Sequence, residues 1–258
     1  MNKMRAEIRK LEENLYLIDD AGESTAYLLC GEKQAALIDT LNGVEDLKEI
    51  VSSLTDLPVT VINTHGHCDH IAGNIFFDEA WIHPADEGLA GEHFTIMQEA
   101  LRPWGKSPCP FRFMEIGQVF DLGGLTLEVV SLKGHTAGSV GLLCREKRLF
   151  FTGDGLNPHI WMQLRESQKI EVLYSELKRV KEMYASAFDR VLYGHARGEG
   201  YLPAVLVDRL MRGCEELMAG QTEKDEEYVY FGGTVRCMQH FYGEDHGKDV
   251  IVYDREKL

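Results

Sequence analysis

Short apolar runs bounded by glycine and polar residues dominate the first forty positions. Asn14 to Ile18, Ala26 to Cys30 and Ala35 to Asp39 are separated by Gly22 and Gly31, which predicts an antiparallel meander of strands. Val44, Leu47, Ile50, Val51 and Leu54 then recur at helical spacing, so an amphipathic helix is expected from Val44 to Leu54. Strand and helix patterns alternate from there to about residue 220. Lys169 to Ala187 carries Ile170, Leu173, Leu177 and Val180 on one stripe, and Tyr201 to Met218 reads as a further helix stopped by Gly220. Two stretches break the alternation. Ala85 to Gln118 contains LRPWGKSPCPFRF, and Asn157 to Leu164 reads NPHIWMQL; both predict loops or lids rather than core elements. The tail from Gln221 is acidic and then strand-like at Asp249 to Tyr253. No repeat or boundary interrupts the chain. The expectation is one domain over 1–258, with a substrate-loop insert around 85–118 and a C-terminal helix plus strand-like tail over 201–258.

Composition narrows the classes without naming a function. A chain of 258 residues can bury a large core, and 44% hydrophobic with 27% charged residues is ordinary for a globular protein. The longest apolar stretches are strand-sized, far short of the ~20 residues a spanning helix needs. The start, MNKMRAEIRKLEENLYLIDD, lacks the apolar block of a secretory signal, so a cytoplasmic protein without a membrane partner is expected. A formal charge of −15 argues against gripping a nucleic-acid backbone and in favour of a small-molecule substrate. The six cysteines are scattered with no C-x-x-C pair, which predicts reduced, buried thiols. Nothing in composition sets the oligomeric state.

Chemistry enters where the apolar strands end. VTVINT runs into His65-Gly66-His67, LEVVSLK into Gly134-His135, RLFFT into Gly153-Asp154, and RVLY into Gly194-His195. Glycine permits a tight turn and close approach, while the strand supplies a rigid platform for a ligand. Within THGHCDH, residues 64–70, an extended backbone points His65 and His67 to the same side, so they can share an ion. Asp69 and His70 suit a second. A catalytic zinc takes three protein ligands and a structural one four. Seven candidates are too many for one ion. One metal is assigned His65, His67 and His135, the other Asp69, His70 and His195, with Asp154 and a hydroxide bridging them. The expected cofactor is two divalent ions, zinc first, with iron or manganese compatible with nitrogen and oxygen ligands. Ions ~3.5 to 4 Å apart generate a nucleophile from water near neutral pH.

Lesser candidates surround this set. His159, Trp161, Trp104 and Phe113 fall in the two irregular stretches and are candidate substrate contacts. Cys68 reads as a spacer within the motif. His83, His93, His240 and His246 lack a supporting pattern and read as surface or structural, and the run Glu223 to Glu227 reads as a solvated face.

The pattern H-x-H-x-D-H at 65–70, followed by isolated His135, Asp154 and His195 at strand ends, resembles the metallo-β-lactamase-fold hydrolase superfamily from about residue 14 to 200. The resemblance implies an α/β fold, a four-layer αββα sandwich with metals at one edge between two sheets. It gives Asp39, closing AALIDT, a structural supporting role. Asp154 stands where β-lactamases commonly place cysteine, and His67 where redox diiron relatives place glutamate, so the aspartate-bridged dinuclear members resemble this chain most. They imply a hydrolase whose metal-bridging hydroxide attacks a small thioester, ester or lactone, with Asp69 and Asp154 as catalytic carboxylates. Hydrolysis of a small phosphodiester is the alternative within hydrolysis. A mononuclear-iron persulfide oxygenase and a non-catalytic metal-binding protein are the alternatives outside it. The region beyond His195, one helix and a strand-like tail, differs from the helical C-terminal region by which related glutathione-thioester hydrolases grip their substrate.

Overall fold

The meander forms the first half of a seven-stranded sheet: β1 (Glu7–Glu12), β2 (Leu15–Asp19), β3 (Thr25–Cys30) and β4 (Ala35–Ile38) pair antiparallel in order. The computed structural model describes residues 6–196, 200–230, 235–243 and 249–258. β5 (Val59–Ile62), β6 (Ala80–Ile82) and β7 (Phe111–Phe113) then add in parallel. A six-stranded sheet runs in the order β14 (Leu202–Pro203), β13 (Arg190–Tyr193), β11 (Leu149–Gly153), β10 (Val140–Cys144), β9 (Thr126–Ser131) and β8 (Val119–Asp121). β9 and β11 both lie antiparallel to β10, and β11 pairs in parallel with β13, so β9, β11 and β13 end at the same edge.

The apolar clusters define the layers. Leu17, Leu29 and Ile38 of the first sheet meet Val129, Leu142 and Phe151 of the second, forming a core between them. Outside the first sheet, Leu28, Leu37 and Val61 pack under α1 (Leu47–Leu54), through Leu47 and Val51. Outside the second, Val130, Phe150 and Val191 pack under α4 (Ile170–Tyr184) and α5 (Leu206–Met218). This is the α/β four-layer arrangement that the motif resemblance implied.

Several elements depart from expectation. α1 starts at Leu47 because Asp46 caps it, accepting from the Glu49 N–H at 3.1 Å, while Val44 stays exposed. α5 starts at Leu206, since Leu202–Pro203 pairs as a strand with β13. The stretch 85–118 is not one irregular loop. It contains α3 (Glu87–Leu101), whose apolar stripe is weak: only Ala90 and Leu101 are fully buried and Ile96 is 69% exposed. Within 157–164, residues 159–161 form strand β12 (His159–Trp161), which pairs in parallel with β17 (Val250–Tyr253). β15 (Glu226–Tyr230) and β16 (Val235–Phe241) complete a third, four-stranded sheet, of which sequence patterning discloses only β17, in the strand-like stretch Asp249 to Tyr253. Its Ile160, Ile251 and Tyr253 join the core under α4 and α5. Asp225, read as part of a solvated run, is instead buried, bonded to His240 at 2.8 Å and to the Tyr253 hydroxyl at 2.7 Å.

All six cysteines are free. Among the described residues no helix is long and apolar enough to cross a membrane.

Candidate metal centre

The edge where β4, β5, β9, β11 and β13 end collects all seven candidate ligands. Thr64 and His65 follow β5, and α2 (Cys68–Ile71) turns Asp69 and His70 inward. The two sheets are tied across this edge: Val140 donates to the Thr64 carbonyl at 2.9 Å, Thr25 to that of Gly194 at 2.7 Å, and the Tyr27 hydroxyl to that of Tyr193 at 2.9 Å. The strand-end glycines are required by this closeness. A Cβ on Gly194 would lie 2.4 Å from Asp154 Oδ1 and 2.6 Å from His70 Cε1. Gly153, at φ +49, would place a Cβ 2.1 Å from Thr64 Oγ1.

Two groups of donor atoms result. His67 Nδ1 lies 3.0 Å from His65 Nε2 and 2.9 Å from His135 Nε2. One ring nitrogen cannot satisfy two others by hydrogen bonding when all three rings are held at their opposite nitrogens; a shared cation can. His70 Nε2 lies 3.5 Å from Asp69 Oδ2 and 3.7 Å from Asp154 Oδ1, and it is fully buried with no hydrogen-bond partner. His195 Nε2 is 3.5 Å from Asp69 and 3.0 Å from Asp154 Oδ2, an oxygen that also lies 3.7 Å from His135 Nε2. Asp154 therefore faces both groups. The sets His65/His67/His135 and Asp69/His70/His195 each have the geometry to hold an ion, and the orphaned His70 nitrogen fits one.

Every histidine is fixed from behind. His65 Nδ1 faces Thr64 Oγ1 at 3.1 Å, His70 Nδ1 faces Asp39 Oδ2 at 2.9 Å, and His67 Nε2 faces Glu166 Oε1 at 2.8 Å. His135 and His195 meet backbone carbonyls instead, those of Trp161 at 2.7 Å and Glu23 at 2.6 Å. These outer acceptors keep a proton on the outer nitrogen, so that each ring, when neutral, presents its lone pair inward. Asp39 does more than support one ring. At φ +62 it also accepts from the Thr64 N–H at 2.7 Å and hydroxyl at 2.8 Å, a strained backbone repaid by three bonds.

Electrostatics separate the groups. Burial pushes His65 well below the ordinary histidine range, and burial with the neighbouring His67 takes His135 down to about 4. Burial also opposes charge on His70 and His195, but the carboxylates win: Asp69, Asp154 and Asp39 push His70 well up, and Asp154 with Asp69 pushes His195 up to about 9. Conversely, burial disfavours ionised Asp69 and Asp154, while the cationic rings hold both below the usual carboxylate range.

Other residues fall in unforeseen places. His93, read as surface or structural, stands beside the centre: its Nδ1 accepts from the Cys68 N–H at 3.0 Å and its ring lies 4.8 Å from that of His67. Asp86, not singled out from sequence, is buried and accepts from Gly66 N, Gly138 N and Thr136 Oγ1 at 2.9, 2.7 and 2.7 Å, bracing the loops that carry His65 and His135. Trp104 packs edge-to-face on Phe76 and donates to the Gly43 carbonyl at 2.9 Å, in the layer outside the first sheet. Phe113 is exposed on β7. Neither joins the centre. Trp161 reaches it through its carbonyl, while its ring packs with Tyr230 at 5.1 Å; the His159 ring packs with Tyr228 at 5.8 Å. His83 caps the turn before α3, accepting from Ala85 N at 3.3 Å. His240 sits buried between Asp225 and Glu216, at 2.8 and 3.0 Å, a structural tie between α5 and the third sheet. His246 lies outside the described residues.

Comparisons with known proteins bear on the family and the fold. The family model described as the metallo-beta-lactamase superfamily matches residues 19–209. An acyl-coenzyme A thioesterase of Gallus gallus is 26% identical over 170 residues, covering 56% of this chain and 61% of the relative. A hydroxyacylglutathione hydrolase of Haemophilus influenzae is 34% identical over 137 residues, covering 48% and 62%. The chain thus spans about three fifths of the length of these curated relatives. Among solved structures, a metallo-beta-lactamase from Pontibacter korlensis superposes with a TM-score of 0.63 at 19% identity, covering 82% of this chain and 99% of the other. A sec-alkylsulfatase from Pseudomonas sp. reaches 0.66 at 13% identity, covering 82% and 42%. At such identities the likeness speaks for the fold.

Proposed function

The chain belongs to the metallo-beta-lactamase superfamily, and we propose that it is a metal-dependent hydrolase of small thioesters. The observation that carries the reading is the donor set itself: two groups of three inward-facing ligands with Asp154 directed at both. His65, His67 and His135 would hold one divalent ion, and Asp69, His70 and His195 the other, with zinc the first candidate for this nitrogen and oxygen set. Bound there, two such ions supply Lewis acidity to a carbonyl and lower the pKa of water toward neutrality.

The chain's own groups then divide the work. Asp69, 28% exposed against 13% for Asp154, is the carboxylate on the open side, placed to accept a proton from water and orient it toward a carbonyl. Asp154, deeper and held by Asn157 at 3.3 Å, keeps the two ligand groups in register. Thioesters are favoured over esters and lactones because two similar proteins are named as thioester hydrolases, an acyl-coenzyme A thioesterase and a hydroxyacylglutathione hydrolase.

The test is a panel of acyl-coenzyme A and acylglutathione thioesters, lactones, aryl esters and phosphodiesters, run with the wild type and His67→Ala alongside elemental analysis. Thioester hydrolysis that disappears in His67→Ala, with two ions per wild-type chain, is expected. Activity that survives the substitution, or a turnover confined to phosphodiesters, would refute it.

A further inference from the structure

Of the five histidines at the centre, His67 alone turns Nδ1 inward; His65, His70, His135 and His195 all present Nε2. This inversion has a mechanical consequence. The outward nitrogen is then Nε2, at the far tip of the ring, and, like the outward Nδ1 of His70, His135 and His195, it needs an acceptor delivered by another segment. Glu166 is that acceptor, at 2.8 Å.

The segment that brings Glu166 is built, not loose. It joins β12 to α4, and its backbone is tied on both sides of the glutamate: Met162 N donates to the Val252 carbonyl at 2.7 Å and Gln168 N to that of Gly134, next to His135, at 2.8 Å. Near the C-terminal end of the chain, Lys257 donates to the carbonyls of Leu164 and of Ser167, the latter at 3.0 Å. Arg165 pairs with Glu92 of α3, the helix that also supplies His93 against the His67 ring. The strap and α3 thus clamp one imidazole.

We propose that Glu166 is the positioning residue of the three-histidine group, holding the Nε2 proton of His67 so that its Nδ1 lone pair points at the ion shared with His65 and His135. The inference rests on the metal reading above and assigns a residue that the H-x-H-x-D-H pattern does not contain. His67, His93 and Glu166 are close enough to be considered as a third ion site. Two contacts argue for positioning instead. The 2.8 Å separation is that of a hydrogen bond to a carboxylate, and His93 Nδ1 is already engaged by the Cys68 N–H.

The test compares the wild type, Glu166→Gln and Glu166→Ala by zinc competition against a chromophoric chelator, by cobalt(II) absorption spectra and by thermal unfolding of metal-free protein. In Glu166→Ala, affinity at the three-histidine group is expected to fall ~10- to 100-fold with an altered cobalt spectrum, the usual effect of losing an outer partner. Glu166→Gln, which keeps an acceptor oxygen, should recover part of the loss, and both variants should fold. Two ions bound with affinities indifferent to both substitutions would overturn this proposal alone. Three ions in the wild type falling to two in Glu166→Ala would make Glu166 a ligand and also overturn it. A wild type that binds no ion would remove the metal reading and the proposal together.

Discussion

The two halves of the candidate centre, three histidines in one and an aspartate with two histidines in the other, solve opposite electrostatic problems. In the His65/His67/His135 half, burial drives His65 and His135 toward neutrality, so lone pairs are ready for an ion. In the Asp69/His70/His195 half, three buried or half-buried carboxylates, counting Asp39, keep His70 and His195 protonated, and ring cations and carboxylates compensate one another without any ion. An ion entering the first half displaces little. An ion entering the second must expel protons. The lesson is that ligand identity alone does not set affinity; the charge already resident among the ligands decides how binding depends on conditions.

The comparison breaks most sharply under reciprocal substitutions. His67→Ala removes a ligand of the first half, and Gly194→Ala drives a methyl into Asp154 and His70 of the second. Each is expected to lower hydrolytic activity by more than the ~100-fold typical of an outer partner. Elemental analysis should find one ion left in each, at opposite halves, as distinguished by cobalt(II) spectra; loss of the same ion in both would refute the division.

Asp39→Ala probes how far the second half depends on its outer carboxylate. It leaves His70 Nδ1, the Thr64 N–H and the Thr64 hydroxyl without an acceptor in a fully buried site. The expected cost is about 3 kcal/mol of stability, visible in denaturant unfolding. Affinity of the second ion should fall ~10- to 100-fold, and that of the first by less, through Thr64, which holds His65.

Acid should then separate the halves without mutation. His195, with its pKa up at about 9, is protonated below that pH, so affinity in its half should fall ~10-fold per pH unit for each proton expelled as the pH drops. His135 stays neutral until about 4, so the first half should lose affinity less steeply than the second as the pH falls from ~8 to ~5.5. Chelator competition across that range checks the order of loss, and simultaneous release would contradict it. The smallest effect is expected from Cys68→Ser, whose thiol lies between the two halves in sequence but takes no part in either group of donors. Metal content should be unchanged and stability altered by no more than ~0.5 kcal/mol.

How much of this was legible before folding differs by residue. The strands ending at His65, Asp154 and His195 announce themselves by apolar runs, and Gly153 and Gly194, before the last two, are explained by contacts under 3 Å that a Cβ would make. α3 was not legible because its burial comes from two residues, Ala90 and Leu101, which leaves no stripe to read. The third sheet was hidden for a related reason. β12 is three residues long and its partner β17 lies far along the chain, while β15 is mostly exposed. His93, Asp86 and Glu166 gave no signal, since each acts on a residue at least 20 positions away and none belongs to a periodic pattern.

The sequence by itself determined the candidate ligand types, their strand-end placement and the reading of THGHCDH as two pairs, because these follow from local spacing and a period of two. Tertiary structure alone decided which groups stand behind the ligands: Glu166 at His67, the Trp161 and Glu23 carbonyls at His135 and His195, and the carboxylates that charge one half and not the other. The physical reason is range. A side chain's direction is set within two or three residues, whereas the proton on its far nitrogen is set by whatever the fold brings within 3 Å.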